Sequence, residues 1–565
     1  MFMLRRERSR ALGFPNAHAV THHQPRAYGW RVWWRLRRLF FTHDLPECIV
    51  IRSSLCLVTL ALLTASVAAG AQTFPTDDPV IRRIWDEGMM SRSQVADLAQ
   101  VLTDSIGPRL SGTPGLLAAT DWVAARYAAW GIPVRKEKYG TWFGWRRRYT
   151  HIDLVAPRER TLEGTMLAWS PGTTKPVEGE VIVIPDLADG VAVSRWLPSV
   201  KGKFVLVSAP EPTCRPDENW ERLARPATVT AMKAARDSSK RYWNQRTQRL
   251  GRNAHALLEG GGAAGIVTTL WSAGWGVNKV FAAHTRTTPV LDLSCEDYGL
   301  LHRLASRNQG PRLRLDARSE ALPDVPMFNV VAELKGTEKP DEYVLLGAHL
   351  DSWDGASGAT DNATGTVMMM EAMRLLKAAY PNPQRTILVG HWGAEEQGLI
   401  GSRAFSEDHK EVVDGLQAAF NQDNGTWRVE YIRMMGLTGA AAHFGRWLSN
   451  IPSEIEGIID LDIPGVPETG GSDHMSFLCA GAPSFRLQSN YPDYRQYNWH
   501  TNRDTFDKLI IDDLKNNATL AAMLAYEASE DPERVPRDRR VLTSPDGATM
   551  AWPRCSPAPR SAPAR

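Results

Sequence analysis

Cysteine is scarce, with six in 565 residues and no Cys-x-x-Cys pair. That excludes a disulfide-dense scaffold and the common thiolate metal or redox motifs. Cys48 and Cys56 fall before or within the first apolar run. The other four, Cys214, Cys295, Cys479 and Cys555, are widely spaced. Isolated thiols are the expectation for them, with a single Cys214–Cys295 bridge as the alternative. Membrane-spanning runs are also lacking. The stretch Leu55 to Ala69 is about fifteen residues, short for a span and right for the core of a signal peptide. Excess positive charge is missing from the body of the chain. The formal net charge of +3 comes from the ends: residues 1–71 carry a net +7, the segment from Glu533 onward a net +4, and the body between about −8. No basic face exists there for nucleic acid, so that class of partner is excluded. Gly260-Gly261-Gly262 lacks the Lys-Ser/Thr that would make it a phosphate loop.

What is present is an ordinary globular composition, 43% hydrophobic and 23% charged, long enough for several units. Ala69-Gly70-Ala71 after the apolar run predicts cleavage before Gln72 and export without stable membrane insertion. The preceding n-region is unusually long and includes Trp30 to Arg38; a start site placed too far upstream is the preferred explanation. Helical spacing covers Ser93 to Ile106 and Gly115 to Trp130, with Gly131 as a stop. Short strands with Gly and Pro between them follow, at Val181 to Ile184 and Phe204 to Val207, interrupted by a charged helical excursion from Asp217 to Asn253. After Asp531 the chain is rich in Pro, Arg and Ala and is expected to be disordered.

The chemistry concentrates between Gly347 and Glu396. Three pieces follow or abut apolar runs that read as buried strands: His349-Leu350-Asp351-Ser352-Trp353-Asp354, Asp361-Asn362 within a Gly-rich loop, and Glu395-Glu396 after His391-Trp392-Gly393. Asp423 follows a further apolar strand, Leu416 to Phe420, and His500 lies in Tyr497-Asn498-Trp499-His500-Thr501. Imidazole and carboxylate at strand ends are the ligands of zinc and related divalent ions. Five such candidates suggest two ions, and a carboxylate can bridge them. Glu395 and Glu396 cannot both point the same way from extended backbone, which leaves one for metal and one for a general base.

As a set, these residues resemble the di-zinc exopeptidases that include secreted bacterial aminopeptidases, glutamate carboxypeptidase and carboxypeptidase Q, the last being nearest in pattern. The resemblance covers about Arg92 to Asp531. It implies an α/β fold with a mixed sheet and helices on both faces, plus an inserted, mostly-β protease-associated domain. It implies two zinc ions per subunit: His349 and Asp423 on one, Glu396 and His500 on the other, Asp361 bridging. Glu395 would be the base and Asp351 the partner that orients His349. The substrate would be a peptide, read in part by His474, Tyr497 and Arg486; Tyr491, Tyr494, Arg495 and Arg503 are further candidates for a chain-terminal carboxylate. A homodimer is compatible with it. The expected organisation is an extension and signal peptide over 1–71, a first catalytic part over 72–162, the insert over 163–321, the main catalytic part over 322–531 and a basic tail over 532–565. The competing readings are a glutaminyl-cyclase-like acyltransferase, which needs one metal, and a non-catalytic binding module of the same fold, which would have lost ligands.

Overall fold

The computed structural model describes residues 74–562 except 252, 424, 469, 491 and 544–546. The predicted signal peptide, its cleavage site, Cys48, Cys56 and the Trp30 to Arg38 stretch lie outside the described residues. Among the described residues no helix is long and apolar enough to cross a membrane.

The apolar runs around the motifs become the centre of one large mixed sheet. Lys339–His349, Arg385–Trp392, Leu416–Asn421 and Ser484–Ser489 run parallel to one another, with Lys339–His349 between Leu416–Asn421 and Arg385–Trp392. Their residues alternate between two buried faces. Val344, Leu346, Ile387, Val389 and Phe420 enter one core, whereas Leu345, Leu388, Leu416 and Ala419 enter another. This double burial is why the strands read as continuous apolar runs. The first face is covered by Thr364–Ala379 and Ile511–Glu530, whose methionines and leucines pack rather than ligate. The second is covered by Ile400–Asp408 and Lys410–Gly415. Near the start, Pro114–Ala129 begins at Thr113, whose hydroxyl accepts from the Leu116 N–H, and Gly131 leaves it at φ 68°.

A long antiparallel ribbon, Val134–Ala156 paired with Arg312–Leu334, links this sheet to the strands of segment 163–321, the stretch expected as the insert and so called below. Val330 and Ala332 belong to the catalytic core, while Ile152, Leu154, Leu313 and Leu315 belong to a core inside the insert. There the strands Val177–Val183, Phe204–Leu206, Gly265–Thr268 and Val290–Leu293 are parallel and helices accompany them. The expectation of a mostly-β insert is therefore corrected. Parallel strands need crossover connections, and the excursion after Asp217 forms two helices, Asp217–Leu223 and the 23-residue Pro226–Gln248.

The expectation of isolated thiols is also corrected. Cys214 pairs with Cys295 and Cys479 with Cys555, across sequence separations of 81 and 76. Nor is the segment after Asp531 disordered up to Ala562, outside 544–546. Arg534 and Arg537 donate to the carbonyls of Asp414 and Val413 at the end of Lys410–Gly415. Trp552 donates to the Leu478 carbonyl, and Arg560 pairs with Glu407 and Asp408. Arginines expected to be solvated act here as donors to unsatisfied helix-end carbonyls, and Cys555 tethers them.

Candidate metal centre

Four parallel strand ends open onto one cleft. His349 is the last residue of its strand, Glu395 and Glu396 follow Arg385–Trp392, and Asp423 follows Leu416–Asn421. His500 arrives from the turn beyond Ser484–Ser489 with φ 59°. Ligands belong at the carboxyl ends of such strands, where loops are free to vary while the sheet fixes their origins.

The five expected metal ligands meet as two clusters that share one residue, His349–Asp361–Asp423 and Asp361–Glu396–His500. His349 Nε2 lies 3.4 Å from Asp361 Oδ1 and 3.4 Å from Asp423 Oδ1. His500 Nε2 lies 3.2 Å from Asp361 Oδ2 and 2.9 Å from Glu396 Oε2. Asp361 thus turns one oxygen to each imidazole.

The supporting residues are more informative than their sequence suggested. The ring N–H at His349 Nδ1 is 3.0 Å from the Asp351 main-chain carbonyl and 3.6 Å from Asp351 Oδ1, so both parts of Asp351 face this ring. The Asp351 carboxylate also accepts the Glu395 and Glu396 N–H groups, at 3.0 and 3.3 Å. Asp504 accepts from the Thr360 N–H and hydroxyl on one oxygen and from the Asp361 N–H on the other, fixing the shared ligand. Arg109, fully buried, donates to the carbonyls of Leu350, Ser357 and Gly358 and clamps both ends of the loop between His349 and Asp361. Burial lowers the Arg109 pKa to about 10, opposed by Asp504, Asp351, Asp361 and Glu396. Sequence reasoning missed Arg109 and Asp504. The only signals were an arginine in a Pro-Gly loop and an acid four residues after His500.

The residues expected to touch substrate are placed less uniformly. Arg486 donates to the Asp423 carbonyl and approaches Glu468 at 3.5 Å. His474 Nε2 lies 3.3 Å from the same Glu468 carboxylate. The Tyr497 hydroxyl donates to Glu218 of the insert at 3.2 Å, and Arg503 pairs with Glu163 there. Arg495 lies 4.6 Å over the Trp499 ring, Tyr494 is buried beside the metal-site carboxylates, and Tyr491 lies outside the described residues. The insert also reaches the cleft: Phe281 meets the His500 ring edge-on at 5.0 Å, and the Val280 N–H donates to the His500 carbonyl.

Charge in the cleft is concentrated and dry. Burial raises the Glu396 pKa to about 7 and holds Glu395 well above the usual carboxylate range, against the pull of His349. Burial opposes charge on the two imidazoles, yet Asp423 and Glu395 keep His349 well above its ordinary value and Glu396 brings His500 to about 9. Asp361 is pulled below the usual range by hydrogen bonds from both imidazoles, which outweigh its burial. These residues suit divalent cations: Glu396 Oε1 is buried without a hydrogen-bond partner, and the nitrogen–oxygen donor set is that of zinc.

Residues 329–525 match peptidase family M28. Mouse carboxypeptidase Q is 26% identical over 440 residues, covering 77% of this chain and 86% of that protein. A peptidase M28 precursor from Shewanella amazonensis superposes with a TM-score of 0.60 at 24% identity, covering 82% of this chain and 98% of its own. A zinc aminopeptidase from Bacillus subtilis gives 0.51 at 18%, covering 79% and 96%. The two solved structures share the fold over the stretches they cover. The family match and the carboxypeptidase Q likeness support a metallo-exopeptidase.

Proposed function

We propose that the protein is an exported two-zinc exopeptidase that removes terminal residues from peptides or dipeptides, as a carboxypeptidase Q-like enzyme or an aminopeptidase. The observation that carries this reading is the pair of ligand clusters sharing Asp361. His349 and Asp423 would hold one zinc, Glu396 and His500 the other, and Asp361 would face both. Bound zinc supplies Lewis acidity, which polarises a carbonyl oxygen and acidifies water. Glu395, held by its N–H on Asp351 and raised in pKa by burial, accepts the proton of the attacking water and returns it to the leaving amine. Asp351 fixes the stretch that carries both glutamates, Asp504 fixes Asp361, and Arg109 fixes the loop between His349 and Asp361. Arg486 acts by holding the Asp423 carbonyl rather than by reading a chain terminus, while Tyr494, buried against the carboxylates, is the better candidate for touching substrate.

The segment 163–321, with two cores of its own, is on this reading the protease-associated insert, here in a mixed α/β form. Export is supported by the predicted signal peptide and by two disulfides, which persist in oxidising compartments. The acyltransferase and binding-module readings are disfavoured because all five ligands are present and converge.

Two measurements test the proposal. The purified protein should carry close to two zinc equivalents and lose hydrolysis on chelation, with recovery on adding zinc. A tetrapeptide labelled at either end should shorten from one end only, which assigns the direction. Full activity in metal-free protein overturns the reading.

A further inference from the structure

A cavity of about 560 Å³ opens directly beside Glu396. Its walls come from three distant parts of the chain. The ribbon contributes Trp142 and Phe143, the insert contributes Ala282 and Ala283, and the C-terminal segment contributes Pro559 and Ser561. Trp169, Trp353 and Ile400 extend the apolar lining, and His284, Thr285, Arg286 and Gln397 add polar groups at its edge. The aromatic rings form a continuous, mutually braced surface. Trp142 lies 6.0 Å from Trp169, Trp169 meets Trp353 edge-on at 5.7 Å, and Trp353 lies 5.8 Å from the His500 ring. An apolar lining beside a few polar groups, in this size range, is the form of a small-molecule or side-chain pocket. The indole N–H groups of Trp142 and Trp353 are buried and have no protein partner, so donors remain for a ligand.

The C-terminal wall is built in. Cys555 is bonded to Cys479. Beyond it the Ala558 N–H donates to Glu407 at 2.8 Å, and Arg560 pairs with Asp408 at 2.8 Å and with Glu407 at 3.0 Å. The Thr141 N–H donates to the Arg560 carbonyl at 3.0 Å, and the Ala562 N–H returns to the Thr141 carbonyl at 3.3 Å. Ser561 therefore lies alongside Thr141 as a short parallel bridge, next to Trp142. At Gly140 an added Cβ would come within 2.3 Å of the Arg560 carbonyl, so the ribbon lacks a side chain where this segment crosses it.

We propose that this cavity is the subsite for a bulky apolar side chain of the peptide substrate, and that the disulfide-tethered C-terminal segment is one of its walls and sets its selectivity. The proposal rests on the exopeptidase reading and adds to it a substrate class: peptides whose cleaved end carries an aromatic or large aliphatic residue. Continuity with the metal centre decides the occupant, because Glu396, one of the candidate zinc ligands, lines the cavity.

The test uses the full-length, zinc-loaded protein and two dipeptide series, X-Ala and Ala-X, with X as Phe, Leu, Ser or Gly. The readout is the ratio of kcat/KM for Phe to that for Gly in the hydrolysed series. A ratio of roughly 10 to 200 is expected for a side chain filling a hydrophobic pocket. Removing residues 556–565, which keeps the disulfide, should lower the ratio about tenfold. Ser561→Phe, which fills the cavity from the same wall, should lower it at least as much without deleting any chain. A wild-type ratio near one overturns the pocket, and a ratio unmoved by both variants overturns the role of the C-terminal wall. If no dipeptide is hydrolysed at all, it is the exopeptidase reading that falls. The pocket is then read by tryptophan fluorescence on adding Phe-Ala and Ala-Phe: quenching lost in both variants supports it, and no quenching in the wild type overturns it.

Discussion

Asp361 in the metal cleft and Asp292 in the insert are both buried carboxylates, yet their surroundings differ. Asp361 faces two imidazoles, at 3.4 and 3.2 Å. Burial would raise its pKa, but the hydrogen bonds from His349 and His500 outweigh it and the group stays an anion. Asp292 faces neutral donors: the Thr268 hydroxyl at 2.9 Å, the Lys279 N–H at 3.2 Å and the Asn278 amide at 3.5 Å. There burial wins and the pKa is pushed up to about 7. Equal burial gives opposite outcomes because a neutral hydrogen bond cannot match a paired charge in a dry site. One carboxylate is kept ready for cations. The other ties the loop around Asn278, which grips Asn502 and so the His500 turn, onto its sheet.

The strongest way to break this contrast is Asp361→Asn. It removes the oxygen pair that both clusters share, so both zinc ions should be lost and hydrolysis should fall to background. Elemental analysis of the dialysed variant decides it; retention of two equivalents would remove Asp361 from the shared position. Next in size are the neighbouring glutamates. Glu395→Gln keeps shape and loses basicity, so kcat should drop by about two to four powers of ten while both zinc ions stay and KM moves little. Glu396→Gln should lose metal along with activity. If metal content falls in Glu395→Gln and holds in Glu396→Gln, the two roles are exchanged.

A milder change works through support alone. Asp504 touches the backbone at Thr360 and Asp361, not the ligand atoms. Asp504→Asn should weaken zinc affinity by about 10- to 100-fold, the scale seen when a ligand's supporting hydrogen bond is lost. Competition with a chelator of known affinity measures this. Unchanged affinity would mean that the turn at Asp361 is fixed without Asp504.

These supports show where the sequence was readable. Three of the five candidate ligands, His349, Glu396 and Asp423, sit within a few residues of apolar strands, where strand-end position and donor chemistry draw attention to them; Asp361 and His500 lie farther along loops, and the family resemblance completed the set. The helices Val95–Gln100 and Pro114–Ala129 followed from periodicity and end signals. Arg109 and Asp504 act through contacts 241 and 144 residues away in sequence, and nothing local marks a side chain whose partners are distant carbonyls and N–H groups. The Cys479–Cys555 disulfide was hidden for the same reason, whereas Cys214–Cys295 was already an alternative. In the C-terminal segment a Pro-Arg composition was read as solvated, because composition cannot register carbonyl ends waiting for donors at Lys410–Gly415. The insert was misjudged because four short strands look alike whether antiparallel neighbours or long helical crossovers join them.

The smallest expected effect on activity, and the most direct test of the contrast, lies at Asp292. In an unfolded chain this carboxyl would titrate near about 3.9. A folded pKa of about 7 means that the folded protein holds a proton the unfolded chain has lost over the interval between. The stabilisation linked to that proton is complete below about pH 4, declines as the pH rises, and is gone once the pH has passed the folded value. Asp292→Asn cannot ionise, so it escapes this decline. It does surrender an acceptor to the Lys279 N–H or the Asn278 amide, at a cost of about 1 kcal/mol. The variant should therefore melt below the wild type at pH 4 and above it at pH 7 and beyond, and the two Tm-versus-pH curves should cross. Curves that stay parallel would show that Asp292 is ionised across the range, and the neutral donors around it would then be holding charge as well as the imidazoles hold it at Asp361.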